Sequence, residues 1–260
     1  MTWKIKQFSN PKLKNPVLIE GLPGIGNVGK IAVDFMIDNL KAKKIFQIYS
    51  KTLPHSVFVN EENIIELPLI EMYYKRLKDR DILLLSGDVQ PFEETSCYEF
   101  CDTILDISEK YKGNEIITLG GIGLANIPKE PKVFCTANNK KIIQKYRKKH
   151  KQIQNDAYAI IGPIVGVSGL LVGLAKERDI SAISLLAETY AHPAYIGIKS
   201  AKETLNVLNK TLDLNLDLDE LDKEINEIEQ EFKKSDSMKK IQETKKKMGI
   251  KPKTDVSYIG

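Results

Sequence analysis

Seven apolar runs of strand length, separated by stretches of helical periodicity, constrain this chain more than any other feature. They are Val17–Glu20, Lys44–Tyr49, Ile82–Ser86, Ile116–Leu119, Val133–Ala137, Ala157–Ile161 and Ile180–Leu186. Most are apolar throughout, as expected of strands covered on both faces. Helical patterns fall at Val28–Lys41, Phe92–Tyr111, Lys140–Lys149, Val167–Lys176 and His192–Leu212. Residues 53–75 read as shorter strands with a turn at Asn60-Glu61-Glu62-Asn63. This alternation predicts an α/β domain with a largely parallel sheet. At 260 residues the chain is long enough to bury a sizeable core.

The pattern changes after Leu212. Leu218, Leu221, Ile225, Ile228 and Phe232 recur at steps of three and four, an apolar stripe on an otherwise charged helix suited to helix packing or oligomer contacts. Residues 213–232 hold nine acids and one Lys, whereas residues 233–253 hold nine Lys and two acids. A second, Lys-rich helical pattern covers about Ser237–Met248. Gly249 is placed to cap it, and Pro252 prevents its continuation. The last residues, Thr254-Asp-Val-Ser-Tyr-Ile-Gly260, have no partner element and are expected to form a mobile tail. The organisation expected is therefore an α/β domain over 1–212, a helical extension over 213–250 and a flexible tail over 251–260.

Charge and cysteine content exclude several classes. A net charge of +4 is too small to imply nucleic-acid binding. Three cysteines do not make a disulfide framework and fit a reducing cytosol. The first residues, Met1-Thr-Trp-Lys-Ile-Lys-Gln7, lack an apolar signal core, so a cytoplasmic protein is expected. Ala157–Ala175 runs 19 residues without a charge, close to the length of a membrane span. Gly162-Pro163 and three further glycines break it, so it reads as strand, tight turn and buried helix, with no membrane partner.

The sharpest local signal is Gly21-Leu-Pro-Gly24-Ile-Gly26-Asn-Val-Gly29-Lys30, which follows a strand and opens a helix. Gly24, Gly26, Asn27 and Gly29 form a loop whose backbone N–H groups suit an anion. Gly24-x-Gly26-x-x-Gly29 satisfies the dinucleotide fingerprint, but no acid follows in Ile45–Lys51 to hold ribose hydroxyls. As a phosphate-binding P-loop it fails at Ile31, where Ser or Thr would hold magnesium. A tight strand-to-helix turn explains the glycines without any ligand. Gly120-Gly121-Ile-Gly123 and Gly162-Pro163 also end strands and would converge with it at the carboxyl edge of a parallel sheet.

Polar candidates at that edge are Asn27, Asp88, Gln90, Ser168, Glu188 and His192, each more commonly a cap or turn residue than a catalyst. Cys97 and Cys101 share a helix face but lack the ligand partners of a zinc site. The three His show no metal spacing, and Gly166-Val-Ser168-Gly169 lacks one spacer of a nucleophile elbow. The basic run Lys145–Lys151 reads as a solvated helix face. The residues thus predict no catalytic set, no metal and no cofactor. A small-molecule or nucleotide-binding enzyme built on the Gly-rich loops stays open as the alternative.

Taken together and in order, Gly21-Leu-Pro-Gly-Ile-Gly-Asn-Val-Gly29, Gly87-Asp-Val-Gln-Pro91, Gly120-Gly-Ile-Gly123, Gly162-Pro-Ile-Val-Gly-Val-Ser-Gly-Leu-Leu171 and Leu185-Leu-Ala-Glu-Thr189 resemble the proteasome-assembly-chaperone family, in its archaeal branch. The resemblance covers roughly residues 15–235. It implies a three-layer α/β/α sandwich like that of purine nucleoside phosphorylases, plus C-terminal helices. It further implies a non-enzymatic homo-oligomer that binds 20S proteasome α-subunits or their assembly intermediates. Archaeal relatives dock a C-terminal tail of hydrophobic–Tyr–any residue between α-subunits. Here the tail reads Val256-Ser-Tyr258-Ile259-Gly260, with Tyr258 third from the end. The resemblance makes Gly260 the carboxylate donor and Val256, Tyr258 and Ile259 its apolar neighbours.

Overall fold

The computed structural model describes residues 3–154, 162–219, 221–223 and 225. Eight strands form one sheet: β1 (Lys4–Gln7), β2 (Val17–Glu20), β3 (Lys43–Tyr49), β6 (Ile70–Lys75), β7 (Ile82–Gly87), β8 (Glu115–Leu124), β9 (Val133–Ala137) and β10 (Ser181–Tyr190). Their order across the sheet is β1-β3-β6-β7-β2-β8-β10-β9. A separate two-stranded hairpin pairs β4 (Phe58–Val59) with β5 (Ile65–Glu66). The helices are α1 (Val28–Asn39), α2 (Glu94–Lys110), α3 (Lys140–Lys149), α4 (Val167–Ala175) and α5 (Ile198–Leu212).

The fold is α/β, with helices on both faces of the sheet. Helices α1, α3 and α5 share one face, and α2 packs on α4 across the other. Strand alternation explains why the central runs are apolar throughout. Leu18, Leu83, Leu85, Ile116 and Ala182 join the core beneath α2 and α4. Their sequence neighbours Val17, Ile19, Leu84, Ile117 and Ile183 are equally buried and face the other way. Arg178 fastens the turn after α4 to α2 through Asp102 at 2.8 Å, Asp106 at 2.5 Å and Glu109 at 3.1 Å.

The sheet is less parallel than the alternation predicts. β7, β2, β8 and β10 run parallel, while β1, β6 and β9 are antiparallel to their neighbours. The cause is connection type. The segments joining β3 to β6 and β6 to β7 contain no helix, and only a crossover returns a strand in parallel. Strand β1 has no counterpart among the predicted runs, because it is an exposed edge strand rich in Lys with no buried face. β8 and β10 each run ten residues and stay paired from Ser181↔Glu115 to Tyr190↔Leu124, past the glycines where the apolar pattern stops.

Helix α5 begins at Ile198 and not at His192, since Pro193 and a turn closed by Tyr195 N–H on the His192 carbonyl at 2.9 Å precede it. The predicted strand Ala157–Ile161 lies outside the described residues. Among the described residues no helix is long and apolar enough to cross a membrane. The compact body runs to Leu218, and a second unit starts at Asp219.

Candidate functional site

The strand order places a crevice at the carboxyl edge. From β2 the chain passes through α1 to β3 on one side. From β7 it passes through α2 to β8 on the other side of β2. Ligands of open α/β sheets bind at such a reversal. A cleft of about 370 Å³ lies there, and the three glycine clusters converge on it: Gly24 and Gly29, Gly120–Gly123, and Gly162.

Two glycines of the Gly21–Gly29 loop have a clear steric reason. Gly26 takes φ +63°, followed by Asn27 at φ +52°, so two left-handed residues turn the chain into α1. A Cβ on Gly29 would lie 2.4 Å from the Leu119 carbonyl oxygen, so helix α1 meets β8 backbone to backbone. Gly29→Ala is expected to destabilise the fold by about 1–3 kcal/mol through overpacking, seen as a lower urea midpoint with unchanged slope.

Among the described residues the cleft lining contains no charged side chain. Leu22, Ile25, Leu119, Ile164, Val165 and Leu186 contribute apolar surface, and Gln90 and Ser168 are its polar side chains. Gln90 is occupied with architecture. Its Nε2 donates to the Pro23 carbonyl at 2.7 Å, and its Oε1 accepts from Val167 N–H at 3.2 Å, capping α4. Ser168 donates to Glu20 Oε2 at 2.9 Å.

Glu20, the last residue of β2, is fully buried, and its Oε1 accepts from Leu22 N–H at 2.9 Å. Burial pushes its carboxyl up to about 7, with the hydrogen bonds from Leu22 and Ser168 opposing the rise. Thr118 and Ser184 stand in register beside it on β8 and β10, and their buried hydroxyls have no partner. Nothing in the sequence pattern singles out Glu20. Its one signal is an acid closing an otherwise apolar strand.

The anion-loop expectation meets an uncharged setting. Lys30 does not line the cleft; it pairs with Asp34 at 2.9 Å. Gly24 and Gly29 line the cleft, while Gly26 and Asn27 do not. The other polar candidates are dispersed. Asp88 accepts from Leu69 N–H at 3.0 Å, Glu188 from Lys132 N–H at 3.0 Å, and His192 Nδ1 from Ala194 N–H at 3.2 Å. Cys97 and Cys101 are buried free thiols, and Cys101 is held protonated by its hydrogen bond with Cys97 and by burial. Among the described residues no group of His, Cys, Asp and Glu suits a metal ion. Leu218, Leu221 and Ile225 of the stripe are buried. Ile228, Phe232 and the tail residues Val256, Tyr258, Ile259 and Gly260 lie outside the described residues.

The mixed eight-stranded sheet with helices on both faces is the fold of the proteasome-assembly-chaperone class. The chain belongs to the PAC2 family, whose model matches residues 18–235. It is similar to Pyrococcus furiosus PbaB, described as an archaeal proteasome activator, at 33% identity and TM-score 0.83, covering 91% of this chain and 100% of that one. The fold is shared with P. furiosus PbaA, described as an archaeal homolog of proteasome-assembly chaperone, at 23% identity and TM-score 0.74, covering 95% and 99% of the two chains. An uncharacterized protein of Methanocaldococcus jannaschii is 30% identical over 264 residues, spanning 100% of this chain and 97% of that protein.

Proposed function

We propose that the chain is a non-enzymatic, homo-oligomeric chaperone or adaptor that binds 20S proteasome α-subunits or their assembly intermediates in the cytoplasm. The observation that carries this reading is the likeness, over 91% of this chain, to a protein described as an archaeal proteasome activator, at 33% identity and TM-score 0.83. The uncharged cleft supports the non-enzymatic part. Glu20, buried outside the lining, accepts from the lining's Ser168 and from Leu22 N–H, so both its carboxyl oxygens are occupied.

In this reading residues 1–212 are the body, 213–250 a helical extension and 251–260 a docking tail. The Gly260 carboxylate meets a basic group between α-subunits, with Val256, Tyr258 and Ile259 packing beside it. The Lys-rich stretch before the tail acts as a tether, which raises the local concentration of the tail at the ring. Neither a membrane nor nucleic acid is a partner.

A pull-down with recombinant proteasome α-subunits tests it. Removal of Tyr258–Gly260 is expected to reduce recovery of α-subunits at least tenfold while the body's melting temperature stays unchanged. Equal recovery with and without the three residues removes the tail assignment, and no recovery by the intact chain removes the proteasome reading. The cleft at the strand reversal favours one second reading, a small-molecule or nucleotide-binding protein. Equilibrium dialysis against nucleotides and phosphate separates the two.

A further inference from the structure

The sheet ends at β9, and at that edge lies another cavity, of about 390 Å³, which shares no residue with the carboxyl-edge cleft. Its lining includes Glu130, Lys132, His150, Gln154, Lys199 and Glu203. Three elements frame it. Gln154 N–H donates to the Val133 carbonyl at 2.9 Å, which holds the 150–154 segment along β9. Glu188 N–H donates to the Lys132 carbonyl at 3.0 Å, and Lys132 N–H to Glu188 Oε2 at 3.0 Å, so the approach to β9 is seated on β10. The third wall is α5, where Lys199, Glu203 and Val207 recur every fourth residue on one face. Lys149 Nζ donates to the Thr211 carbonyl at 2.7 Å and ties the chain just before His150 to the end of α5.

His150 is the anomaly of this cavity. It is 5% exposed, and among the described residues neither Nδ1 nor Nε2 has a hydrogen-bond partner. Its main chain is fully used. The His150 N–H donates to the Tyr146 carbonyl at 2.9 Å, and its carbonyl accepts from Ile153 N–H at 3.3 Å. Only the ring is left over. Burial, with the Lys210 charge adding to it and Glu203 opposing, holds the ring below the ordinary histidine pKa, so the neutral form prevails at pH 7. A neutral imidazole carries one donor and one acceptor, and burying both without partners costs stability.

We propose that this cavity binds a small zwitterion of the α-amino-acid type, its carboxylate toward the His150 ring N–H and Lys132 and its ammonium toward Glu203. Charge selects this class. The charged lining consists of Glu130, Glu203, Lys132 and Lys199, so both signs are present and sum to zero. A simple anion would face two carboxylates and a simple cation two ammonium groups, whereas a ligand carrying both signs is opposed at neither. Glu130, Lys132 and Glu203 have no ion-pair partner among the described residues. The ring adds a second criterion, since it calls for a molecule that both accepts and donates. Among the described residues no group of His, Cys, Asp and Glu suits a metal ion, which sets aside a metal on His150 and Glu203. The volume falls within the ~300–1,000 Å³ of small-molecule sites.

The test records the melting temperature of the full-length protein with each standard amino acid in turn at about 10 mM. At least one is expected to raise it by several degrees, while acetate, inorganic phosphate and ethylamine at the same concentration leave it unchanged. Glu203 is only half-buried, so Glu203→Gln is expected to keep the ligand-free melting temperature within a few degrees and to lose the shift. His150→Phe removes both bare nitrogens and fills similar space. It is expected to melt at or above the wild-type temperature without ligand and to lose the shift as well. Should His150→Phe fail to fold, Glu203→Gln decides alone. A shift from acetate or phosphate as large as that from any amino acid makes this an anion site and overturns the zwitterion. No shift with any probe leaves solvent as the partner of His150 and overturns the proposal. A shift that Glu203→Gln retains places the ligand elsewhere and overturns it too.

Discussion

Replacing Glu115 with alanine is expected to lower folding stability by about 3 kcal/mol. Glu115 opens β8 at the amino edge of the sheet, opposite the cleft. Its Oε2 accepts from Lys145 Nζ at 2.5 Å and Arg80 Nη1 at 3.1 Å, and its Oε1 accepts from the Tyr146 hydroxyl at 2.6 Å. Tyr146 is 1% exposed, so the alanine variant leaves its hydroxyl without an acceptor in the core. Arg80 and Lys145 both reach solvent, which holds the loss to the lower end of the ~3–5 kcal/mol typical of broken buried pairs. Urea unfolding at pH 7 measures it, and a change under 1 kcal/mol would show the cluster to be dispensable. Burial works against the Glu115 carboxylate, but the bonds from Lys145 and Tyr146 with the Arg80 charge outweigh it and hold its pKa below the ordinary value. Its contribution is therefore present above the unfolded pKa of 4.5 and is lost as pH falls through the folded value.

Glu20→Gln is expected to have the opposite pH signature. The wild-type carboxyl titrates near 7 in the fold and at 4.5 when unfolded. Between those values the folded chain holds a proton that the unfolded chain releases, so wild-type stability falls as pH rises and levels off above 7. The shift corresponds to about 3 kcal/mol in all. Gln keeps an oxygen for Leu22 N–H and carries no charge. Relative to wild type, the variant should gain about 3 kcal/mol between pH 4.5 and 8. Denaturant titrations at pH 5 and pH 8 give this difference, and parallel curves would show that Glu20 titrates in the fold as it does in the unfolded chain. Glu115 thus makes the fold acid-sensitive, and Glu20 makes it base-sensitive.

The central architecture was legible because burial on both faces leaves an unambiguous trace. Val17–Glu20, Val133–Ala137 and Lys140–Lys149 stand where the pattern puts them. The trace fails where burial and apolarity part company. Strand β1 pairs with β3 through its backbone while its side chains stay in water, so Lys-Ile-Lys-Gln shows no strand pattern. β8 outruns its prediction because Gly120, Gly121 and Gly123 carry no side chain for a pattern to register, yet the pairing with β10 continues through them. The cleft was foreseeable from the glycine clusters after β2 and within β8, since parallel strands deliver them to one edge. Glu20 was not, because its weight comes from Ser168, 148 residues away, and no local spacing encodes that contact. The resemblance to proteasome chaperones likewise came from the ordered set of glycine motifs, and the PAC2 match over residues 18–235 agrees with it.

The overrun of β8 past β2 has an evolutionary consequence. One wall of the cleft is the glycine-rich end of β8, pinned to β10 through ten paired residues. A Cβ added at Gly121 would sit 2.3 Å from the Ile25 carbonyl oxygen, so that wall cannot be resculpted by substitution. The facing wall, Gly162 to Val165, is loop, and Val165 points freely outward. Mutational drift can change the cleft's shape on that side without moving the sheet. In a lineage that retains this sheet, diversity in whatever the cleft accommodates is written into residues 162–165, against a backdrop that stays fixed.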